Sequence, residues 1–334
     1  MNRTPLRDLT FFAIVVAFAL GLHASARAQG LDAVTLRTDW LPLSYHAPFH
    51  LALEKGYYRA ANIDLKILDG RGSGNTIQVV GNGADTFGLA EASVLAKAVG
   101  QGVPVKMIMG ILRRSAVGIN FPADKGIQVP ADLRGKRITM CAGEAPAVLL
   151  PAFLKSVNVA TSDIKLVTVD CGAKYSVIAQ GLADAALGYS PFAKQQFAAL
   201  GIKDVRKFDY ADVGVVVPAT GVIAADKTID SKPELVQRFI GASLKGWADT
   251  LKNPEVAFDA MARAIPTLKD KERILRTEFD DYRPYFESAA TRGKPFGWQS
   301  PEDWKLAETI LIQYMDVKPQ PSVDAYFTNR FISQ

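Results

Sequence analysis

After residue 29 the chain alternates short runs of β-branched and aliphatic residues with stretches whose apolar positions recur every three or four residues. The pattern predicts strands at 34–37, 63–68, 86–89 and 105–111, with helices at 48–58 and 75–81 between them. A second series opens near Gly118, with strands at 137–140, 165–169 and 185–187 and helices at 147–157, 173–181 and up to Leu200. Two further strands are expected at 213–217 and 222–225, separated by Pro218 and Gly221. Repeated strand–helix–strand units need right-handed crossovers and a mainly parallel sheet, which collects the strand-end loops on one edge.

From Ser231 the period becomes helical. Ser231-Lys232-Pro233-Glu234 fits a capping box, and Val236, Ile240, Leu244, Trp247 and Leu251 share one face. Asn253-Pro254 and Ser300-Pro301 each place a capping side chain before a proline at a first helical position. The expected architecture is therefore α/β: two lobes with mainly parallel sheets and a helical C-terminal tail. Residues 29–118 and 222–334 would form a discontinuous first lobe and 119–221 the second. The extended passages 119–122 and 216–221 would pair as a two-segment hinge, with a ligand held between the lobes.

Composition changes this picture little: 334 residues, 49% hydrophobic and 22% charged, are those of a chain that buries cores. A net charge of +5, with no run of five like charges, gives no reason to expect nucleic acid. The first residues add more. Arg3 and Arg7 precede an uncharged stretch at 11–22, and Ala26-Arg27-Ala28 offers the small residues of a cleavage site before Gln29. Residues 1–28 are expected to be an export signal and the mature protein periplasmic, because the apolar stretch makes only about 18 Å of helix, short of a membrane's ~30 Å core. No cysteine near that site offers a lipid attachment point. An oxidising compartment permits a bridge between Cys141 and Cys171, which follow β-rich runs; two buried thiols are the alternative.

Motifs for catalysis are absent: there is no G-x-x-x-x-G-K-[ST], H-E-x-x-H or G-x-S-x-G. Gly70-Arg71-Gly72-Ser73-Gly74-Asn75 follows a strand and opens a helix, yet Ile77 stands where a dinucleotide fingerprint has its third glycine. What remains is a turn whose backbone N–H groups welcome a polar or anionic ligand edge. His46 and His50 are four apart, but Pro48 between them starts the helix, so they share no face and no third ligand is evident; no metal or other cofactor is expected. His50 is read as packed and His46 as a ligand hydrogen-bonder. Trp40, Tyr45 and Tyr189 follow strand ends and can stack on a flat ring. Glu91, with Ser93 beside it, and Glu144, after Gly143 in the other lobe, can accept from ring amines. Arg71, Arg113 and Arg114 would instead suit a carboxylate or sulfonate.

The stretch from Thr38-Asp39-Trp40-Leu41-Pro42 through Tyr45-His46-Ala47-Pro48-Phe49 to Glu54-Lys55-Gly56-Tyr57-Tyr58 resembles the opening of a family of periplasmic nitrate, sulfonate and thiamine-pyrimidine precursor binding proteins. Gly83-Ala84-Asp85-Thr86-Phe87-Gly88, Asp132-Leu133-Arg134-Gly135-Lys136 and Gly181-Leu182-Ala183-Asp184-Ala185 follow in the family's order. The resemblance implies a type II periplasmic binding fold serving an ABC importer, with a small-molecule ligand and a membrane permease as partners, a monomeric state and no enzymatic activity. It also implies that Trp40 lines the ligand pocket. A thiamine-pyrimidine synthase of the same superfamily carries a histidine after the strand at 86–89 and a later cysteine cluster. Here Glu91-Ala92-Ser93-Val94 and residues 214–221 hold neither. The expected ligand is a small aromatic or pyrimidine-like compound, with an aliphatic sulfonate, nitrate or aromatic carboxylate as the alternative, and a sensor's ligand-presenting subunit as a rival role.

Overall fold

A computed structural model describes residues 30–269, 271–315 and 317–332; the expected export signal lies outside the described residues. The strands are β1 (Asp32–Arg37), β2 (Ile63–Leu68), β3 (Phe87–Glu91), β4 (Val105–Gly110), β5 (Val117–Pro122), β6 (Arg137–Met140), β7 (Lys165–Thr168), β8 (Ala185–Tyr189), β9 (Val205–Asp209) and β10 (Thr220–Ala225). They form two five-stranded sheets, ordered β2-β1-β3-β10-β4 and β7-β6-β8-β5-β9. Burial follows strand position. Edge strand β2 alternates buried Ile63 and Leu65 with exposed Asp64 and Lys66, whereas β3, β5 and β10, flanked on both sides, are buried throughout.

β1 runs parallel to β3, and β6 runs parallel to both β7 and β8. One strand in each sheet is reversed: β10 against β3 and β4, and β5 against β8 and β9. Both are reached by crossings without an α-helix, and it is the helix-bearing crossover that brings a chain back in its original direction. The two crossings are bonded to each other: Ser115 N–H donates to Val217 O (3.0 Å), Ala219 N–H to Leu112 O (3.0 Å) and Leu112 N–H to Thr220 O (2.9 Å).

Three sequence expectations shift here. Residues 119–122 lie inside β5 rather than in a link, so the expected lobe boundary at 118/119 falls within a strand. Residues 213–217 belong to the second crossing, and the strand expected there is instead β9, whose exposed Arg206 and Lys207 mask its period. The helix expected at 48–58 breaks at Gly56, whose φ of 71° ends α1 (Ala47–Glu54) before α2 (Tyr57–Ala60).

The remaining helices are α3 (Ser73–Gly81), α4 (Ala92–Gly100), α5 (Ala145–Ser156), α6 (Lys174–Ala179), α7 (Ser190–Ala199), α8 (Asp226–Ser231), α9 (Pro233–Lys252), α10 (Pro254–Ala264), α11 (Glu272–Tyr282) and α12 (Pro301–Met315). Ser231 caps nothing: it ends α8, its hydroxyl donating to Lys227 O at 2.6 Å, and α9 starts at Pro233. On α9, Val236, Phe239, Ile240 and Trp247 are buried while Leu251 is exposed. Gly246 lets α9 lie on α1, since a Cβ there would strike Pro48 O and Ala52. The tail ties the two sheets together: α11 packs on α7, and α12 on both α4 and α5. Val105, Val117, Ile138, Leu149 and Trp304 consequently share one apolar core that spans both sheets.

Candidate functional site

The carboxyl ends of β1, β6 and β8 converge on a cavity walled by both halves of the fold. Asp39, Trp40, Leu43 and Ser73 face Glu144, Pro146, Lys174, Tyr175, Tyr189 and Phe192 across a free volume of about 20 Å3, room for roughly one water molecule. This is the strand-end crevice where open α/β folds take ligands. Two glycine turns close one side. Gly74 N–H donates to Gly143 O at 3.3 Å, and a Cβ on Gly72 or Gly74 would lie 3.4 Å from that oxygen.

A buried ion pair crosses the second-lobe wall. Lys174 and Glu144 are 2% and 3% exposed, and the Lys174 ammonium contacts Glu144 Oε2 directly while donating to Leu187 O at 2.7 Å. The same ammonium stands 5.0 Å from the centre of the Trp40 ring and 5.8 Å from that of Tyr175, so two aromatic faces share its charge. Glu144 Oε1 accepts from Cys141 N–H at 2.9 Å. Burial raises the Glu144 carboxyl above its ordinary value, with Lys174 pulling the other way. Cys141 itself is bonded to Cys171, their Cα atoms 5.1 Å apart.

Asp39 organises the first-lobe wall. Its carboxylate accepts from Tyr45 Oη at 2.8 Å and contacts His46 Nε2 at 2.9 Å. Because His46 Nδ1 accepts from Leu43 N–H at 3.1 Å, the ring proton sits on Nε2 and points at Asp39. Tyr45 and His46 are thus buried behind the cavity, on a short 3-10 turn at 44–46, and hold Asp39 instead of lining the site. His50 is packed, as its spacing suggests, and burial pushes its pKa down to about 4.

Other expected residues divide. Trp40, Ser73, Glu144 and Tyr189 line the cavity, and Gly72, Gly74 and Gly143 form its glycine seam. Glu91 sits beside it as the N-cap of α4: Oε2 accepts from Ser93 N–H (2.7 Å), Val94 N–H (3.4 Å) and the Ser93 hydroxyl, so Ser93 serves the cap. Its Oε1 has no hydrogen-bond partner among the described residues, and burial pushes the carboxyl up to about 7. Arg71 is exposed and lies outside the lining. Arg113 is spent on the tail, donating to Phe286 O (2.6 Å) and Pro295 O (3.2 Å), and exposed Arg114 lies over Tyr285. Among the described residues no arginine lines the cavity; the crossing that carries this pair turns both side chains to the C-terminal tail.

Sequence reasoning missed Asp39, Lys174, Tyr175 and Phe192. A lysine opening a helix reads as solvated, and only its place between a cysteine and an aromatic residue hinted otherwise. Gly188 is needed for Tyr175, whose hydroxyl occupies the space a Cβ on that glycine would fill. Acidic side chains outnumber basic ones around the cavity. Asp39, Glu91 and Glu144 all act on Tyr189, and Glu278, pushed up to about 8 by burial and so mostly protonated near neutral pH, lies behind Tyr175 and Tyr282. Among the described residues the cavity lining holds one ammonium, that of Lys174. Tyr175 Oη, Tyr282 Oη and Ser44 Oγ have no hydrogen-bond partner among the described residues. Nor do those residues contain a cluster able to hold a metal ion.

The family described as NMT1/THI5 like matches residues 43–257, more than half of the chain. Riboflavin-binding protein RibY of Chloroflexus aurantiacus is 27% identical over 309 residues, 90% of this chain and 86% of that protein. The 4-amino-5-hydroxymethyl-2-methylpyrimidine phosphate synthase of Legionella pneumophila is 24% identical, covering 90% of this chain and 92% of its own. A formylaminopyrimidine-binding protein of Halalkalibacterium halodurans is 22% identical over 88% of each chain. Among solved structures, the alkanesulfonate-binding protein SsuA of Xanthomonas axonopodis pv. citri bound to MOPS has a TM-score of 0.69 at 15% identity, covering 90% of this chain and 100% of that one. Two sheets joined by paired crossings, a cavity at their strand ends and the match over 43–257 lead to one conclusion: the chain belongs to the NMT1/THI5-like family and has the periplasmic binding protein fold.

Proposed function

We propose that this chain is the exported solute-binding component of an ABC importer. It holds a small aromatic or heterocyclic compound, neutral or positively charged and of the thiamine-pyrimidine precursor kind, between its lobes, and passes it unchanged to a membrane permease. The observation that carries this reading is the cavity wall itself, with aromatic faces at Trp40 and Tyr189 beside the carboxyl groups of Asp39 and Glu144, which can accept hydrogen bonds from a ring amine. Relatives whose names record riboflavin and formylaminopyrimidine binding agree with it. A sulfonate or nitrate is disfavoured because Arg71 is exposed and Arg113 is committed to backbone carbonyls. A synthase reading is disfavoured because residues 91–94 and 214–221 lack the histidine and cysteines that the resemblance would require.

Mechanism then reduces to differential contact. With the glycine seam closed, the lobes leave too little room for even a single aromatic ring to enter, so binding needs the lobes to part along the crossings at 111–116 and 214–219. A ligand touching Trp40 on one side and Tyr189 on the other favours the closed form by the contacts available only there. A thermal-shift screen of pyrimidines, flavins, aromatic acids, sulfonates and nitrate tests the proposal. A true ligand at a hundred times its Kd adds about 2.7 kcal/mol, a rise of about 5 °C for a chain of this size. A rise with sulfonates or nitrate alone refutes the ligand class, and a ligand recovered chemically altered refutes the transport role.

A further inference from the structure

We propose that the Cys141–Cys171 disulfide is a positioning link for the ligand site: it keeps Glu144 and Lys174 together beneath Trp40, and the site's affinity depends on it. The inference rests on the cavity being the ligand site, but its ligand-free arm does not.

β6 and β7 pair in parallel from Arg137↔Lys165 to Met140↔Thr168, so the loops after them leave the sheet side by side. The loop after β6 carries Glu144, held to its own start by Cys141 N–H. The loop after β7 runs into α6, whose first residue is Lys174, three residues beyond Cys171. Besides the bridge, that second loop is held by hydrogen bonds and not by apolar burial: Val169 N–H donates to Met140 O at 2.9 Å, Gly172 N–H to Asp170 Oδ1 at 3.0 Å, and the Thr139 hydroxyl to Lys174 O at 3.3 Å. β7 is the sheet's edge strand, no residue of it is buried, and none of 171–173 is buried either. Yet Lys174, the next residue, must set its ammonium against Glu144, Leu187 O and the Trp40 face at once. The covalent bridge lies at the base of both loops and, with its Cα atoms 5.1 Å apart, leaves the two charged residues little freedom to separate. Neither cysteine lines the cavity, so the link acts through the pair it holds.

The test compares the intact protein with the Cys141→Ala/Cys171→Ala variant and with protein treated with a water-soluble phosphine. The phosphine supplies two electrons, is oxidised to its oxide with an oxygen from water, and leaves two thiols. All measurements are made well below each protein's melting midpoint. Without ligand, the Trp40 contribution to emission is read as the difference from a Trp40→Phe counterpart, and amide exchange is followed in the two loops. Loss of the bridge should change Trp40 emission, do so far less in a Lys174→Met background, and speed exchange at 141–146 and 171–176 while the first sheet stays protected. With 4-amino-5-hydroxymethyl-2-methylpyrimidine as probe, affinity should fall about tenfold, within the range for residues that share one interaction network. A bridgeless protein that melts earlier but keeps Trp40 emission and loop exchange unchanged overturns the proposal, since the bond would then serve stability alone. If the intact protein fails to bind the probe, the ligand reading fails, while emission and exchange still decide the link.

Discussion

Replacing Lys174 by methionine removes the ammonium facing Glu144 while keeping most of the side chain's volume. In the native protein that ammonium contacts Glu144 Oε2 and Leu187 O, and both charged side chains are almost wholly enclosed. Among the described residues the variant leaves Glu144 with Cys141 N–H as its one remaining donor. Removing one member of a buried pair costs about 3–5 kcal/mol, because the other charge stays buried without compensation. The sign of the pH dependence follows. Glu144 is already raised by burial, and Lys174 is what draws it down, so its pKa in the variant rises further. A carboxyl raised in the folded state costs nothing below its unfolded value and destabilises progressively as pH climbs through the folded one. Urea unfolding of Lys174→Met should therefore show the full loss near pH 8 and much less near pH 4.5. Adding Glu144→Leu should restore most of it, since an apolar replacement for both partners removes the stranded charge. A loss below about 1 kcal/mol, the usual value of an exposed pair, equal at both pH values, would refute the picture of a dry ion pair.

Two other expectations follow from the same wall. Burial raises Glu91 to about 7 and Glu278 to about 8, and these two carboxyls outweigh His50, whose lowered value pulls the other way up to about pH 6.5, so the melting midpoint should fall as pH rises from about 5 to 8.5, and Glu278→Gln should flatten the upper part of that fall; a midpoint rising over this range contradicts the assignment. At the glycine seam, Gly74→Leu places carbon where Gly143 O already stands 3.4 Å from a first Cβ, so X-ray scattering without ligand should show a more extended particle than the parent, and identical curves would mean the lobes do not rest on this contact.

Much of this was legible in the chain. Alternation located β2 at 63–68 to the residue, because an edge strand shows water one face. Trp40, Glu144 and Tyr189 are legible because each lies at or just past a strand's carboxyl end, where the fold gathers its loops. Three things were hidden, for different reasons. β9 carries Arg206 and Lys207 in its middle and has no apolar period to see. Residues 213–217 carry the β-branched composition of a strand but serve as a crossing, since composition does not reveal which sheet a segment will join. Asp39 and Lys174 have the residue types of a solvated surface; the turn that brings Tyr45 and His46 back onto Asp39, and the long-range contacts of Lys174 with Glu144 and Trp40, make them interior. Tyr45 and His46 show the converse: side chains suited to a ligand, drawn inward by that buried aspartate.

The bonding between Leu112, Ala219 and Thr220 makes the points of departure from the first sheet and return to it immediate neighbours. A short turn spliced between the two points would leave β4 beside β10 in an unbroken chain, but it would also bare the apolar surface that Val105 and Trp304 share with Val117, Ile138 and Leu149, so the second half can be exchanged only for an insert that covers that face.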